Sequence, residues 1–303
     1  MRSEFFRNRS ERIEGFGGLQ TAHDKLKAIK EKNGESVEWI FRGHAESKWK
    51  LKSTLERCFD EFDINPAKRL TIEGGLLRRF KRQCHNYATV TPVEDNVMEW
   101  LALMRHYGAP VRLLDWTYSF WVATFFAVEN ANPNQKEEKE CSIWALNQKY
   151  IWKRLKDKYR GLSRLIDDEL PSSDPNVKQF RTFRRVFMST YPFVCPINAY
   201  GFNERLVIQQ GTFLCPGDVA KPFEKNLAEL APKRDGKPDF GDNIWEFRIR
   251  LKNLQDKKNI LGNLYRMNMT RAALYPGLDG FSQSLKTILL TLPEALKPDP
   301  SWR

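Results

Sequence analysis

Apolar residues recur at Leu19, Ala22, Leu26 and Ile29, the spacing that turns one helix face toward a core. A peripheral helix is therefore predicted after the glycine-rich turn Gly15-Phe16-Gly17-Gly18, ending near Asn33-Gly34. Val37-Glu38-Trp39-Ile40-Phe41 is short, aromatic and β-branched, which predicts a strand that terminates in Arg42-Gly43. Residues 71–106 are helical in pattern, with Leu76, Leu77 and Phe80 on one face, Met98, Leu101 and Met104 on another, and a break at Thr91-Pro92. Ser119 is an N-cap for a helix over 120–129 whose apolar content on most sides makes it the central one. Ala123 and Ala127 lie one turn apart there and predict close approach by a neighbouring strand.

Past that helix, Asn132-Pro133-Asn134 and the charges up to Glu140 read as an exposed loop, and 142–146 as a second strand. A charged helical pattern follows over 147–170, then a surface loop over 171–175. Strand-like runs return at 205–209, 211–214 and 244–249, the last alternating as a half-buried strand does. Helical pattern over 253–267 and a turn over 274–280 lead to a final helix from Phe281. No repeat, low-complexity tract or interdomain linker interrupts this order. The fold class expected is α+β: a single mixed domain with a central β-sheet flanked by helices. Within it, 1–34 is an N-terminal helical extension, 35–130 the core, and 131–303 an extension that completes the same domain.

The 303 residues are 41% hydrophobic, enough for a real core, and carry a formal charge of +12. That charge favours an anionic partner, a nucleotide ligand or nucleic acid, although the basic residues are spread along the chain. Five cysteines, none in a CxxC pair, point to free thiols and a cytoplasmic setting. The opening residues are too charged for a secretory segment, and no apolar run is long enough to span a membrane. Cys84-His85, His106, Cys195 and Cys215 supply metal-ligand types without the paired spacing of a zinc site, so no metal is expected.

The densest chemistry lies in Tyr107-Gly108-Ala109-Pro110-Val111-Arg112-Leu113-Leu114-Asp115-Trp116-Thr117. Arg112 and Asp115 stand among apolar neighbours, and a buried charge must be paired or face a polar cavity. Arg42, Arg112 and Asp115 are therefore expected in one polar cluster. Arg42 has two readings: it seals a strand end against Asp115, or it faces a ligand.

These residues carry a resemblance. Phe41-Arg42-Gly43, then Trp49, Leu51, Leu55 and Arg57, then the segment from Tyr107 to Thr117 and the helix with Val122, Ala123, Phe125, Phe126 and Ala127, look like the FRG domain of bacterial and phage proteins. His44 and Val111 stand where that family often has Gln and Thr. Asn203-Glu204-Arg205, Gln209-Gln210-Gly211 and Tyr275-Pro276-Gly277-Leu278-Asp279-Gly280 resemble the family's usual extension. The resemblance implies a nucleotide-handling effector in bacterial or phage conflict, such as a toxin or anti-phage defence protein.

The order of these pieces is also similar to the three-part site of ADP-ribosyltransferases. That similarity implies NAD as cofactor, held by Arg42 with Gly43, Tyr107 and Arg112 around it. It implies a catalytic set of Arg42 on the pyrophosphate, Thr117 or Asp115 on the ribose, and Glu204 or Gln210 at the reacting centre. Phosphate favours the planar fork of arginine, and developing positive charge favours a carboxylate. Two alternatives stay open: a non-enzymatic nucleic-acid-binding module, and a metal-dependent nuclease built on Asp115 and Glu204.

Overall fold

A computed structural model of the chain describes residues 4–32, 37–87, 91–92, 96–133, 140–159, 186–197 and 204–291. The helical tail expected over 159–170, the loop over 171–175 and Asn203 fall largely or wholly outside these residues.

Among the described residues, seven strands form one mixed sheet. In chain order they are β1 (Arg9–Glu14), β2 (Trp39–His44), β3 (Leu114–Thr117), β4 (Glu140–Asn147), β5 (Val194–Ile197), β6 (Gly211–Pro216) and β9 (Ile244–Arg250), arranged β1-β9-β4-β2-β3-β6-β5. β1 runs parallel to β9 and every other pairing is antiparallel. Two short strands, β7 (Lys233–Arg234) and β8 (Lys237–Pro238), make a separate hairpin. The α+β class holds.

Helices cover both faces. On one lie α1 (Gly15–Lys32), α5 (Phe120–Glu129) and α9 (Leu254–Arg266), packed on Phe41, Ile143, Phe247 and Ile249. On the other, α3 (Pro66–Cys84), α4 (Val97–His106) and α6 (Gln148–Lys158) meet Ile40, Leu114, Trp116, Trp144 and Leu214. Among the described residues, the remaining α-helices are α2 (Thr54–Glu61), α7 (Glu204–Ile208), α8 (Phe223–Ala228), α10 (Arg271–Leu274) and α11 (Leu278–Thr291). Ser119 caps α5 by accepting the Val122 N–H at 3.3 Å, as the sequence predicts.

Several expectations need correction. The run 205–209 is not a strand: 204–208 form α7, because a short apolar run carries no period of its own. The edge beside β3 is taken by 211–216 instead, with Gln210 in the left-handed region (φ 48°) turning the chain from α7 into β6. β2 ends one residue beyond the expected Arg42-Gly43; β4 pairs Arg42 with Trp144, Gly43 with Ile143 and His44 with Ser142. The glycines at 15–18 form the first turn of α1, and the last helix starts at Leu278, three residues early. β9 is more than half-buried, since it lies between β1 and β4 and even Glu246 is covered. β1 and β5 have no clear sequence signal: β1 offers one apolar residue, Ile13, and β5 contains Pro196, which only an edge strand tolerates.

Candidate functional site

A close approach of strand and helix backbones sets the site. A Cβ at Gly43 would stand 2.1 Å from the Ala123 carbonyl oxygen and 2.6 Å from the Ala127 nitrogen. Glycine on β2 and alanines on α5 therefore let strand and helix backbones touch. Alternation along β2 then sends Arg42 to the opposite face from its neighbour Gly43.

There Arg42 lines a cleft of about 490 Å³. Its Nη1 donates to the Asp115 carbonyl at 2.6 Å and stands 3.8 Å from the Asp115 carboxylate. Its Nε donates to His44 Nε2 at 3.1 Å, which leaves the ring proton of His44 on Nδ1. Burial, then the charges of Arg42 and Arg57, push His44 well below its ordinary pKa, so the ring is neutral. Burial also pushes the Arg42 guanidinium down to about 10; Asp115 opposes this, and Arg105 and Arg57 add to it.

Asp115 has a second and closer partner. Arg105, in the last turn of α4, donates from Nε to both carboxylate oxygens at 3.0 Å and from Nη2 to Oδ2 at 2.6 Å. Burial works against the Asp115 charge, but Arg105 and then Arg42 outweigh it and hold the carboxyl below its usual range. Burial likewise opposes the Arg105 charge, and Asp115 more than compensates.

The far wall comes from the second half of the chain. Arg205 of α7 lies 4.0 Å from the centre of the Tyr275 ring, and Arg271 lies 4.6 Å from the same ring. Gln209 ties these pieces together: its side-chain Nε2 donates to the Leu274 carbonyl at 2.9 Å, and its carbonyl accepts from Thr117 Oγ1 at 2.7 Å. Trp49, Trp116 and Phe126 add aromatic surface. His106 also borders the cleft; burial and then Arg205 lower its pKa.

The residues singled out from sequence separate into two groups. Arg42, Gly43, Asp115 and Thr117 share the cleft, although the Thr117 hydroxyl is occupied, donating to Gln209 and accepting the Ser119 N–H at 3.0 Å. Arg112 leaves the expected cluster. It is 1% exposed and forks onto Glu73 of α3, with Nε 2.9 Å from each carboxylate oxygen and a further short bond from Nη2. The chain bends at Arg112 before entering β3, which aims the guanidinium under Phe187 and away from the cleft. Burial opposes that charge and Glu73 outweighs it. Tyr107 follows α4 with its ring against His106 and is 67% exposed, outside the cleft. Glu204 is exposed on α7, and Gln210 contributes its carbonyl to the Tyr118 N–H; neither lines the cleft.

Sequence reasoning missed Arg105 as a site residue and left Arg205, Trp49 and Tyr275 in motifs without a role. Arg105 had one signal, a cation in the last turn of a helix that ends at the Tyr-Gly-Ala-Pro turn. Among the described residues, no group of three or more His, Cys, Asp or Glu is placed to hold a metal ion. All five cysteines are free thiols, and none of the described helices is long and apolar enough to cross a membrane.

Residues 37–136 match the family model of the FRG domain. That span includes β2, α2, α3, α4, β3 and α5, and so holds Arg42, Arg105 and Asp115. No curated protein and no solved structure matches the chain.

Proposed function

We propose that the FRG domain and the segment over 204–275 together form a nucleotide-binding cleft that recognises its ligand by phosphate. One observation carries this reading: three guanidinium groups, of Arg42, Arg105 and Arg205, border one cleft in which Asp115 is the sole carboxylate among the described residues. The net charge facing the ligand is positive, and arginine forks match phosphate oxygens two at a time. Aromatic walls at Trp49 and Tyr275 suit a base or a ribose edge, as pockets with a few convergent polar groups do.

NAD fits this donor set at its pyrophosphate. Transfer of ADP-ribose asks for more, a carboxylate free to meet developing positive charge. Asp115 is already neutralised by Arg105 and Arg42, and Glu204 and Gln210 lie outside the cleft. The observations thus favour recognition of the phosphates over chemistry at the glycosidic bond. Calorimetric titration with NAD, ADP-ribose, ATP and inorganic pyrophosphate tests the reading. Binding of at least one, weakened about tenfold or more in Arg205→Gln through the lost charge-assisted contact, is expected. Failure of all four to bind the native protein overturns it.

A further inference from the structure

Most exposed cations that flank carboxylates here are neutralised by them. Lys25 stands 2.6 Å from Glu11, Arg9 2.9 Å from Asp242, Lys158 2.8 Å from Glu229 and Lys252 2.5 Å from Glu14. α3 is different. Six of its 19 residues are basic and one is acidic, and that acid, Glu73, is taken into the core by Arg112. Arg69 reaches Asp60 and Lys81 lies over Trp100, but Arg78, Arg79 and Arg82 are exposed and meet no carboxylate among the described residues.

The three arginines surround a hollow of about 340 Å³ that is lined also by Gly75 and Gln83. Nothing stands within 4 Å of where a Cβ would project at Gly74 or Gly75. Packing therefore gives no reason for two glycines in mid-helix, where they weaken the helix. Like charges at Arg78 and Arg82, one turn apart, weaken it again. What this sequence creates is bare backbone beside three guanidinium groups. Just past the helix end stands Tyr87, 88% exposed, with its N–H bonded to the Cys84 carbonyl at 2.8 Å.

We propose that this face of α3 binds a single-stranded nucleic acid, its arginines on successive phosphates and Tyr87 stacked on an unpaired base. Arg78 and Arg82 are separated by about 6 Å of helix axis, comparable with the reach between neighbouring phosphates of an extended strand. Open backbone at the glycines lets a phosphate approach closely, and a solvent-facing ring is the platform that unpaired bases use. An acidic peptide would satisfy the arginines and leave that ring unused. The surface is independent of the nucleotide cleft, and neither proposal requires the other.

The test is fluorescence anisotropy with a labelled single-stranded oligodeoxynucleotide across a salt series. The native protein is expected to bind it, less tightly as salt rises. The combined variant Arg78→Gln, Arg79→Gln, Arg82→Gln should lose about tenfold or more in affinity, and its log-log salt slope should fall by about 2, from about 0.7 per phosphate contact. Tyr87→Ala should lose about fivefold or more at an unchanged slope. A charge-matched variant, Arg9→Gln, Lys25→Gln, Lys252→Gln, should behave as native. The proposal is overturned if the native protein does not bind, if the two triple variants behave alike, or if a duplex or polyglutamate binds more tightly than the single strand.

Discussion

The Arg42 guanidinium holds Asp115 by its backbone, donating to the carbonyl at 2.6 Å, and stands farther from the carboxylate, at 3.8 Å. Arg105 holds that carboxylate by two nitrogens instead. Asp115 is therefore not orphaned when Arg42 is lost, and Arg42 can be altered without leaving a lone buried charge. Its Nη2 makes no hydrogen bond to the described residues.

Arg42→Lys is expected to melt close to native, at a cost of about 1 kcal/mol for the lost bond to His44. Nucleotide affinity should fall about tenfold or more, since lysine keeps the charge and loses the planar fork. Thermal melts beside calorimetric titrations separate the two effects. A loss of several kcal/mol with affinity intact would make Arg42 architectural.

The pair Arg112 and Glu73 should behave in the opposite way. Both are almost wholly buried, at 1% and 2%. Glu73→Ala leaves a guanidinium in the core without its counter-charge, and about 3–5 kcal/mol of stability should disappear. The double substitution Arg112→Met, Glu73→Leu should recover most of it, because two apolar side chains need no partners. Urea denaturation of the three proteins checks the order.

Gly43→Ala should be severe for so small a change. Its new methyl would meet main-chain atoms of Ala123 and Ala127 rather than a flexible side chain, so α5 must move off the sheet. A loss of about 3 kcal/mol, the upper end of overpacking costs, is expected in chemical denaturation. Ala123→Leu, on the same helix, should cost about 1–3 kcal/mol. A native midpoint in both would show that the strand and helix do not touch.

Glu56 of α2 gives the protein a pH dependence near neutrality. Its carboxylate accepts the Phe223 N–H at 3.0 Å, and burial raises it from 4.5 to about 7, against the pull of that bond and of Lys52. A folded-state pKa above the unfolded one means that the folded protein holds the proton longer. The stabilisation is full below about 4.5 and is lost as the pH rises through about 7. Denaturation midpoints should therefore decline across that window, and Glu56→Gln, which cannot ionise, should flatten the decline. An equal slope in both proteins would remove Glu56 as its source.

Much of the architecture was legible along the chain because it rests on local periodicity. The apolar faces of α1, α4 and α5, the Ser119 cap and the strands β2, β4, β6 and β9 all came from patterns within a dozen residues. Where the pattern is short or weak it failed: 204–208 is a helical turn, and β1 was invisible with Ile13 as its one apolar residue. Such segments take their conformation from the neighbours they meet.

The sequence by itself pointed to Arg42 and Asp115 as members of one polar cluster, because charges in apolar settings need a partner, while Gly43 and Thr117 entered as site residues only with the resemblance. It also determined the small residues at 123 and 127 that seat a strand on α5. Only the tertiary structure decided which cation reaches which carboxylate. Arg112, three positions from Asp115, goes to Glu73, while Arg105, ten positions away, goes to Asp115. The reason is direction: a bend at Arg112 and the axis of α4 set where each guanidinium points, and neither can be read from spacing. Arg205 and Tyr275 join the cleft for the same reason, since β6 pairs beside β3 and carries α7 and the turn after α10 up to Arg42.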